Sequence, residues 1–243
     1  MAERVRIQKA IANAGLMSRR AAEEAISAHR IRLNDDPVRL GDRVDVEEDL
    51  LTIDGIPIPV NPGLETYLLY KPVDVISSSS DTHGRQTVID LVASDKRLYP
   101  VGRLDADSEG LILVSNDGEL TNRVTHPRYG ITKTYVALVE GVPSGRGLRR
   151  LTEGVELDDG PARASKARVI ERQDARSLVE IVMTEGRNRE VRRMLAGIGH
   201  EVISLVRTAI GPLTDRALKP GESRLLSSEE ISRLLASGVT SAT

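Results

Sequence analysis

The stretch "YPVGRLDADSEGLILVSNDGEL", residues 99–120, places an acidic loop between two short apolar runs. The runs "LYPVGRL" (residues 98–104) and "LILVS" (residues 111–115) have the length and composition of strands. The acidic loop where they meet, residues 103–109, is therefore predicted to join two strands of a sheet. Within the loop, Asp105, Asp107 and Glu109 alternate along the chain, and Arg103 precedes them. This spacing allows three interpretations: a metal loop, a solvated turn or a catalytic aspartate.

The metal interpretation fails at the last ligand position. A calcium loop of the EF-hand type takes acidic or amide ligands at its first, third and fifth positions, glycine at the sixth and a bidentate glutamate at the twelfth. Asp105, Asp107, Glu109 and Gly110 fit the start of this pattern, but Asn116 occupies the twelfth position. A glycosidase pair is also disfavoured, because neighbouring carboxylates on one loop do not straddle a sugar ring. A plain acidic turn and a catalytic aspartate both remain open on these residues alone.

Short apolar runs between turn residues continue beyond this loop. They are "YLLY", "TYVALVEG", "SLVEIVMTEG" and "EVISLVRTAIG". Helical periodicity occurs at residues 86–93, 118–126 and 188–199. Most connections are too short for the crossovers that parallel strands need. The sequence therefore predicts an α+β domain over residues 66–235, with a mixed, mainly antiparallel β-sheet and flanking helices.

The first sixty residues follow a different pattern. Apolar positions in "VRIQKAIANAG" and "RRAAEEAISAHR" recur at helical spacing, and Ser18 is placed to cap the second helix. The segment "IRLNDDPVRLGDRVDV" alternates around a turn, as a small β-hairpin does. The proline-rich stretch at residues 56–66 is interpreted as a linker. Two domains are predicted, over residues 1–60 and 66–235.

The small domain is rich in cations. For any one of them, a solvated surface charge is the simpler interpretation. As a group, they are suited to contacts with the phosphates of RNA, and we interpret the domain as RNA-binding. The residues concerned are Arg4, Arg6, Lys9, Arg19, Arg20, Arg30, Arg32 and Arg39.

Composition excludes several classes of protein. No apolar run is long enough to cross a bilayer and the N-terminus lacks the features of a secretory signal, so we expect a cytoplasmic protein without membrane association. The absence of cysteine excludes disulfides, cysteine-ligated zinc and thiol catalysis. The four histidines contain no i,i+4 pair that would indicate a zinc-binding helix.

Longer motifs give the acidic loop its context. Four segments, in this order, resemble the RsuA/RluB/RluE/RluF family of pseudouridine synthases. They are "YKPVDVISS" from Tyr70, "YPVGRLDADSEGLILVSNDGEL" from Tyr99, "KTYVALVEG" from Lys133 and "EGRNREVRRMLAGIGHEVISLVRTAIGPL" from Glu185. Residues 3–58 resemble the S4 RNA-binding domain. Within the family, the form "EGRNREVRRM" is most similar to members that modify the large ribosomal subunit.

The resemblance implies that Asp105 is the catalytic aspartate of an enzyme that isomerises uridine to pseudouridine without a cofactor or a metal. The reaction breaks the N1 glycosidic bond, turns the uracil and joins the ribose C1′ to C5, with no redox change. An ionised carboxylate can serve this reaction as a nucleophile or as a proton acceptor, and both routes remain open. Asp107 and Glu109 are expected to shape the loop or to be solvated.

Four further roles are implied by the same motifs. Tyr135 is expected to stack on the uracil or to remove the C5 proton, and Leu205 to pack on the uracil. Arg192 is expected to pair with Asp105 and to keep it ionised. Arg103 is expected to hold the phosphate of the flipped nucleotide or to fill its place in the stack. Each position also has a plain structural alternative, as a core residue or a surface arginine.

The expected partner is ribosomal RNA, with 23S RNA as the predicted target, either free or in a pre-ribosomal particle, and the protein is expected to be a monomer. The chain has five tyrosines and neither phenylalanine nor tryptophan, so broad stacking on single-stranded RNA is disfavoured and phosphate contacts are favoured. Two alternatives are a 16S RNA synthase of the same family and a non-catalytic RNA-binding factor in ribosome assembly.

Overall fold

A computed structural model describes residues 4–61 and 63–238 and shows two units with separate cores. Two helices and a small sheet form the N-terminal unit, in which Ile7, Ile11 and Ile26 are fully buried. In chain order its elements are β1 (Val5–Arg6), α1 (Ile7–Asn13), α2 (Arg19–Ser27), β2 (Ile31–Leu33), β3 (Asp36–Pro37), β4 (Arg43–Val44), β5 (Leu51–Ile53) and β6 (Ile56–Pro57).

The predicted helix cap and the predicted hairpin of this unit are both present. The Ser18 hydroxyl accepts a hydrogen bond from the Ala21 amide at 3.2 Å, so the predicted cap of α2 is confirmed. Strands β2 and β3 form the predicted hairpin, and its turn residues Asn34 and Asp35 both have positive φ, as a tight turn of the primed type requires.

The predicted linker at residues 56–66 is shorter than expected. A turn at Asp54 and Gly55, both with positive φ, folds the chain back so that β6 pairs with β5. Ile58 and Val60 then contribute to the core of the N-terminal unit. The interpretation of residues 56–60 as linker is therefore wrong, because strand pairing and burial outweigh the proline content of this stretch.

The second unit is built on one large sheet. None of the helices among residues 4–61 and 63–238 has the length and apolar character needed to span a bilayer. Besides the single 3-10 turns Ile89–Leu91 and Pro127–Tyr129, the elements are β7 (Thr66–Lys71), β8 (Tyr99–Val101), β9 (Glu109–Ser115), α3 (Gly118–Thr125), β10 (Lys133–Glu140), α4 (Gly145–Glu153), β11 (Val155–Leu157), β12 (Gly160–Ala162), β13 (Lys166–Gln173), β14 (Arg176–Met183), α5 (Glu190–Ala196), β15 (Val202–Ile210), β16 (Ser223–Leu225) and α6 (Ser228–Ala236).

The sheet has eight strands in the order β13-β14-β10-β15-β9-β7-β16, with β8 beside β9. Among the strand pairs of this sheet in the described chain, only β9 and β15 run parallel. The prediction of an α+β fold with a mixed, mainly antiparallel sheet is confirmed. The separate hairpin of β11 and β12 lies outside this sheet.

Both faces of the sheet are covered by helices, as the composition of β9 requires. Leu111 and Leu113 point to a core formed with α3 and α6, whereas Ile112 and Val114 point to a core formed with α4 and α5. A strand that is buried on both faces has no polar alternation, which explains the continuous apolar run "LILV".

Two of the three predicted helices form. Helices α3 and α5 lie within residues 118–126 and 188–199, as predicted. The predicted helix at residues 86–93 is wrong, because only Ile89–Leu91 form a single 3-10 turn. The Val88 amide donates instead to the Ile76 carbonyl, and Thr87 forms a β-bridge with Ile76. Pairing with a neighbouring segment thus overrides the helical periodicity.

Candidate active site

A cleft of about 320 Å³ lies between the acidic loop and the segment Glu185–Val191. Asp105, Tyr135, Leu205 and Arg103 all line this cleft. They come from the β8–β9 loop, from β10 and from β15, so three distant segments of the chain meet at one place. The sequence-predicted residues are therefore brought together, with the exception of Arg192, which lies outside the lining.

A close approach of two backbones positions the acidic loop. Glu109 and Gly110, at the start of β9, pair in parallel with Val206 and Arg207 of β15, and we call this pairing the β9–β15 junction. Gly110 has a φ of +108°, and a Cβ atom there would lie 2.3 Å from the Arg207 carbonyl oxygen. Only glycine permits this conformation and this distance. The junction sets the acidic loop beside the β10–β15 pair.

A β-bulge in β15 determines the direction of the Tyr135 side chain. Thr134 pairs with Ala209, but Tyr135 pairs with Arg207, so Thr208 is an extra residue in β15. Such a bulge redirects the side chains next to it and occurs often beside active sites. Tyr135 and Arg207 then lie directly opposite each other, on the sheet face that also carries Leu205.

The backbone of the acidic loop is held at every residue from 103 to 107. Each of these carbonyl groups accepts a hydrogen bond. The donors are Arg207 Nη1 to Arg103 at 3.4 Å, Ser77 Oγ to Leu104 at 2.9 Å, the Ser108 amide to Asp105 at 3.1 Å, the Asp74 amide to Ala106 at 2.8 Å and Arg192 Nη2 to Asp107 at 2.9 Å. The half-buried Asp105 carboxylate accepts no hydrogen bond from the residues that the structure describes, so its oxygens are free for a substrate.

Lys71, which the sequence analysis missed, lies fully buried beneath this loop. Its Nζ donates to the carbonyl oxygens of Pro72 at 2.8 Å, Val75 at 2.7 Å and Ala106 at 3.5 Å. Burial lowers the pKa of this amine from 10.5 to about 8, and the charges of Asp107 and Asp105 oppose this effect. The amine ties the acidic loop to the segment that follows β7.

Because its pKa is lowered on folding, Lys71 is expected to make stability depend on alkaline pH. Between pH 8 and 10.5 the unfolded chain binds more protons at this amine than the folded chain does, so stability rises with pH in this window. The free energy of unfolding of the wild type, relative to Lys71→Met, should increase by about 3 kcal/mol from pH 7 to pH 10.5. Urea denaturation of both proteins across this range measures the difference, and a difference independent of pH would refute the expectation.

The predicted pair between Arg192 and Asp105 is wrong in this structure. Arg192 instead approaches Asp107: its Nη2 lies 2.9 Å from the backbone oxygen and 3.4 Å from the carboxylate. Its Nη1 donates to the Val202 carbonyl at 3.1 Å. The reason is its position on α5, from which its guanidinium reaches the backbone oxygens of Asp107 and Val202. Arg192 therefore contacts the loop that carries Asp105 and not the carboxylate itself.

Asp107 connects the acidic loop to two arginines at the start of α5. Its carboxylate forms ion pairs with Arg189 at 2.9 Å and with Arg192 at 3.4 Å. Burial opposes ionisation of this group, but the hydrogen bond from Arg189 and the two positive charges outweigh it, so the pKa of Asp107 is lowered. The acidic loop and the start of α5 are thereby linked across the mouth of the cleft.

The opposite wall of the cleft is braced by Arg187. Its guanidinium donates to the Glu190 carboxylate at 3.1 Å, to the Gly160 carbonyl at 3.1 Å and to Asp159 at 3.2 Å. Burial raises the pKa of Glu190, and the bonds from Arg187 oppose this effect. The β11–β12 hairpin therefore anchors the segment that faces the acidic loop.

The predicted RNA-binding cations of the N-terminal unit divide into two groups, although all are exposed. Arg4 and Arg30 form ion pairs with Asp49 and Asp54, and Arg32 donates to the Asp35 carbonyl. The other side chains form no hydrogen bond or ion pair within residues 4–61 and 63–238. They are Arg39, on the loop after β3, and four residues of β1, α1 and α2, namely Arg6, Lys9, Arg19 and Arg20.

Comparison with known proteins agrees with this architecture. The pattern of the RNA pseudouridylate synthase family matches residues 65–197, and that of the S4 domain matches residues 5–50. A ribosomal large subunit pseudouridine synthase B of Bacillus subtilis is 42% identical over 235 residues, covering 95% of this chain and 96% of that protein. A protein of the same description from Escherichia coli O157:H7 is 37% identical, covering 86% of this chain and 74% of that protein.

A solved structure supports the same assignment over the whole chain. A crystal structure of a pseudouridylate synthase is 28% identical, with a TM-score of 0.63, and the match covers 95% of this chain and 99% of that one. The match therefore extends over both units. The chain belongs to the RNA pseudouridylate synthase family, in the RsuA/RluB type that carries an N-terminal S4 domain.

Proposed function

We propose that this enzyme isomerises one specific uridine of 23S ribosomal RNA to pseudouridine, with Asp105 as the essential carboxylate. The observation that carries the proposal is the cleft in which Asp105, Tyr135 and Leu205 meet, in a chain of this family. The five carbonyl contacts that hold the acidic loop support a role that requires one fixed carboxylate.

Access to the cleft requires the uridine to leave its stack. A carboxylate on the wall of a cleft cannot reach a ribose within a helix, so the nucleotide is extruded before reaction. Arg103 is exposed at the cleft and can contact the phosphate of the extruded nucleotide or occupy the space it leaves. Leu205 and the ring of Tyr135 supply the apolar surface against which the uracil turns.

The reaction conserves all atoms of the nucleotide. The bond between C1′ and N1 breaks, the uracil turns within the cleft, and a bond forms between C1′ and C5. The proton on C5 leaves and N1 gains one. Asp105 serves at the ribose carbon as a nucleophile or at the base as a proton acceptor, and in either role it acts as the ionised form. Tyr135 lines the same cleft and is suited to stack on the uracil or to accept the C5 proton.

The choice of 23S RNA rests on the relatives. The proteins from Bacillus subtilis and Escherichia coli O157:H7 both carry the description of a large-subunit enzyme. Because the proposed substrate is ribosomal RNA, free or in a precursor particle, we also propose that the enzyme acts in the cytoplasm. The cleft is built from residues of one chain, so we propose that a monomer is active.

Pseudouridine mapping of ribosomal RNA tests activity and target together. RNA from a strain lacking this gene should lack one pseudouridine in 23S RNA, and a plasmid copy should restore it. An Asp105→Asn copy should not restore it. Loss of a site in 16S RNA would refute the proposed target, and an unchanged pseudouridine profile would refute the proposed function.

A further inference from the structure

Arg207 is a buried guanidinium without a carboxylate partner. The residue is 4% exposed, and it forms no ion pair within 4.0 Å in the part of the chain that the structure describes. Its Nη2 atom is buried and has no hydrogen-bond partner there. A buried arginine of this kind is costly to maintain and needs an explanation.

The contacts of Arg207 all lead to the candidate active site. Its Nε donates to the Leu111 carbonyl at 2.6 Å, where β9 leaves the acidic loop, and its Nη1 donates to the Arg103 carbonyl at 3.4 Å, where the loop begins. The same Nη1 lies 3.5 Å from the hydroxyl oxygen of Tyr135. One side chain therefore connects both ends of the loop that carries Asp105 with the residue that faces it.

We propose that Arg207 is a positioning residue, which holds the Tyr135 hydroxyl and the acidic loop in one fixed arrangement. This inference rests on the proposed function of Asp105 and Tyr135. Because a guanidinium can only donate hydrogen bonds, the Tyr135 oxygen accepts from Nη1, and the phenolic proton points away from Arg207. Arg207 thus restricts the directions in which the hydroxyl group can donate its own hydrogen bond.

The positive charge of Arg207 is fixed in place by burial, 3.5 Å from the Tyr135 oxygen. A fixed charge in a water-excluded site acts on the charges that develop there during a reaction. The effect of this charge is already visible at a neighbour, since burial and then Arg207 lower the pKa of Lys133 to about 8. Because the Arg207 guanidinium is buried, water screens its charge only weakly within the site.

A double-mutant cycle tests the connection to Tyr135. We expect Arg207→Met to reduce the single-turnover rate at saturating enzyme by about 10²-fold with little change in the Kd for an RNA fragment. In a Tyr135→Phe background, which lacks the hydroxyl group, the same change should cost only about tenfold. The single-turnover rate of Arg207→Lys should lie between the rates of the wild type and Arg207→Met, because one ammonium group cannot reach both the Leu111 carbonyl and the Tyr135 hydroxyl.

Arg192→Met is the matched control. Arg192 also donates to a carbonyl of the acidic loop, but no described contact joins it to Tyr135. Its substitution should therefore cost the same factor in the wild type and in the Tyr135→Phe background. Equal factors for Arg207→Met in the two backgrounds would overturn the proposal. If Arg207→Met fails to fold, the cycle is measured with Arg207→Lys, and a wild-type rate for that variant would overturn it equally.

A measurement without substrate separates this inference from the proposed function. Replacement of the five tyrosines by 3-fluorotyrosine gives a ¹⁹F spectrum in which the resonance of Tyr135 is the one lost in Tyr135→Phe. We expect that resonance to shift in Arg207→Lys and to stay in place in Arg192→Met. An unshifted resonance would overturn the inference even in an active enzyme. A shifted resonance in a protein whose wild type has no synthase activity would refute the function alone.

Discussion

Asp105→Asn is expected to reduce the single-turnover rate of pseudouridine formation by about 10⁴-fold or more. The amide has the shape of the carboxylate but carries no charge, so it is neither a nucleophile nor a base. None of the hydrogen bonds that hold the acidic loop at residues 103–107 uses the Asp105 carboxylate, so the loop should keep its conformation. The Kd for ribosomal RNA fragments should remain near that of the wild type.

Asp107→Asn is the matched control for this substitution. It removes the same charge from the same loop, two residues away, and weakens half-exposed ion pairs with Arg189 and Arg192. Such pairs contribute little, and the rate should fall by less than about tenfold. A comparable loss in both variants would show that the charge of the loop, and not Asp105, is what the reaction requires.

Replacing Arg6, Lys9, Arg19 and Arg20 by glutamine is expected to produce the largest change in RNA affinity. The four side chains are exposed and have no partner within the described residues, so each is free to contact a phosphate. Loss of all four should reduce the slope of log K against log salt by about three units. The rate at saturating enzyme should stay near that of the wild type, because the cleft lies in the second unit.

The control for this experiment replaces Arg4, Arg30 and Arg32, which are engaged with groups of their own chain. These substitutions should change the salt slope much less. Deletion of residues 1–60 is expected to weaken binding and to flatten the salt dependence in the same way. The deletion is a less clean test, since it removes Ile56, which packs against the second core, and the Gly55 carbonyl, which accepts from Arg123 at 2.9 Å. An unchanged slope in the quadruple variant would show that other residues contact the phosphates.

The strands of the large sheet could be predicted because their apolar runs are long and bounded by turn residues. The strands β7, β9, β10, β14 and β15 all form where such runs predict them. The helix predicted at residues 86–93 does not form, because pairing with Ile76 is a contact between segments that no local pattern encodes. The start of the predicted linker was misplaced for the same reason, since β6 exists only through its pairing with β5.

The site was predictable where the motifs are specific, and less so where a role depends on an exact contact. Resemblance to the family motifs identifies Asp105, Tyr135 and Leu205, which line one cleft. The ion-pair partner of Arg192 is Asp107, and this contact depends on the path of the acidic loop, which the motifs do not specify. Lys71 and Arg207 were missed, although a signal was present. Arg207 is in phase with the buried residue Leu205, and a charge on the buried face of a strand indicates a constrained role.

The β9–β15 junction also bears on how the enzyme is completed during folding. The junction pairs only two residues on each strand, and it joins segments that lie far apart in the chain. Antiparallel pairs on either side, such as β10 with β14 and β7 with β9, are more extensive. Contacts between distant segments form late, because loop closure must come first. Since Asp105 lies on one side of the junction and Tyr135 on the other, we expect activity to recover later than secondary structure when the protein refolds.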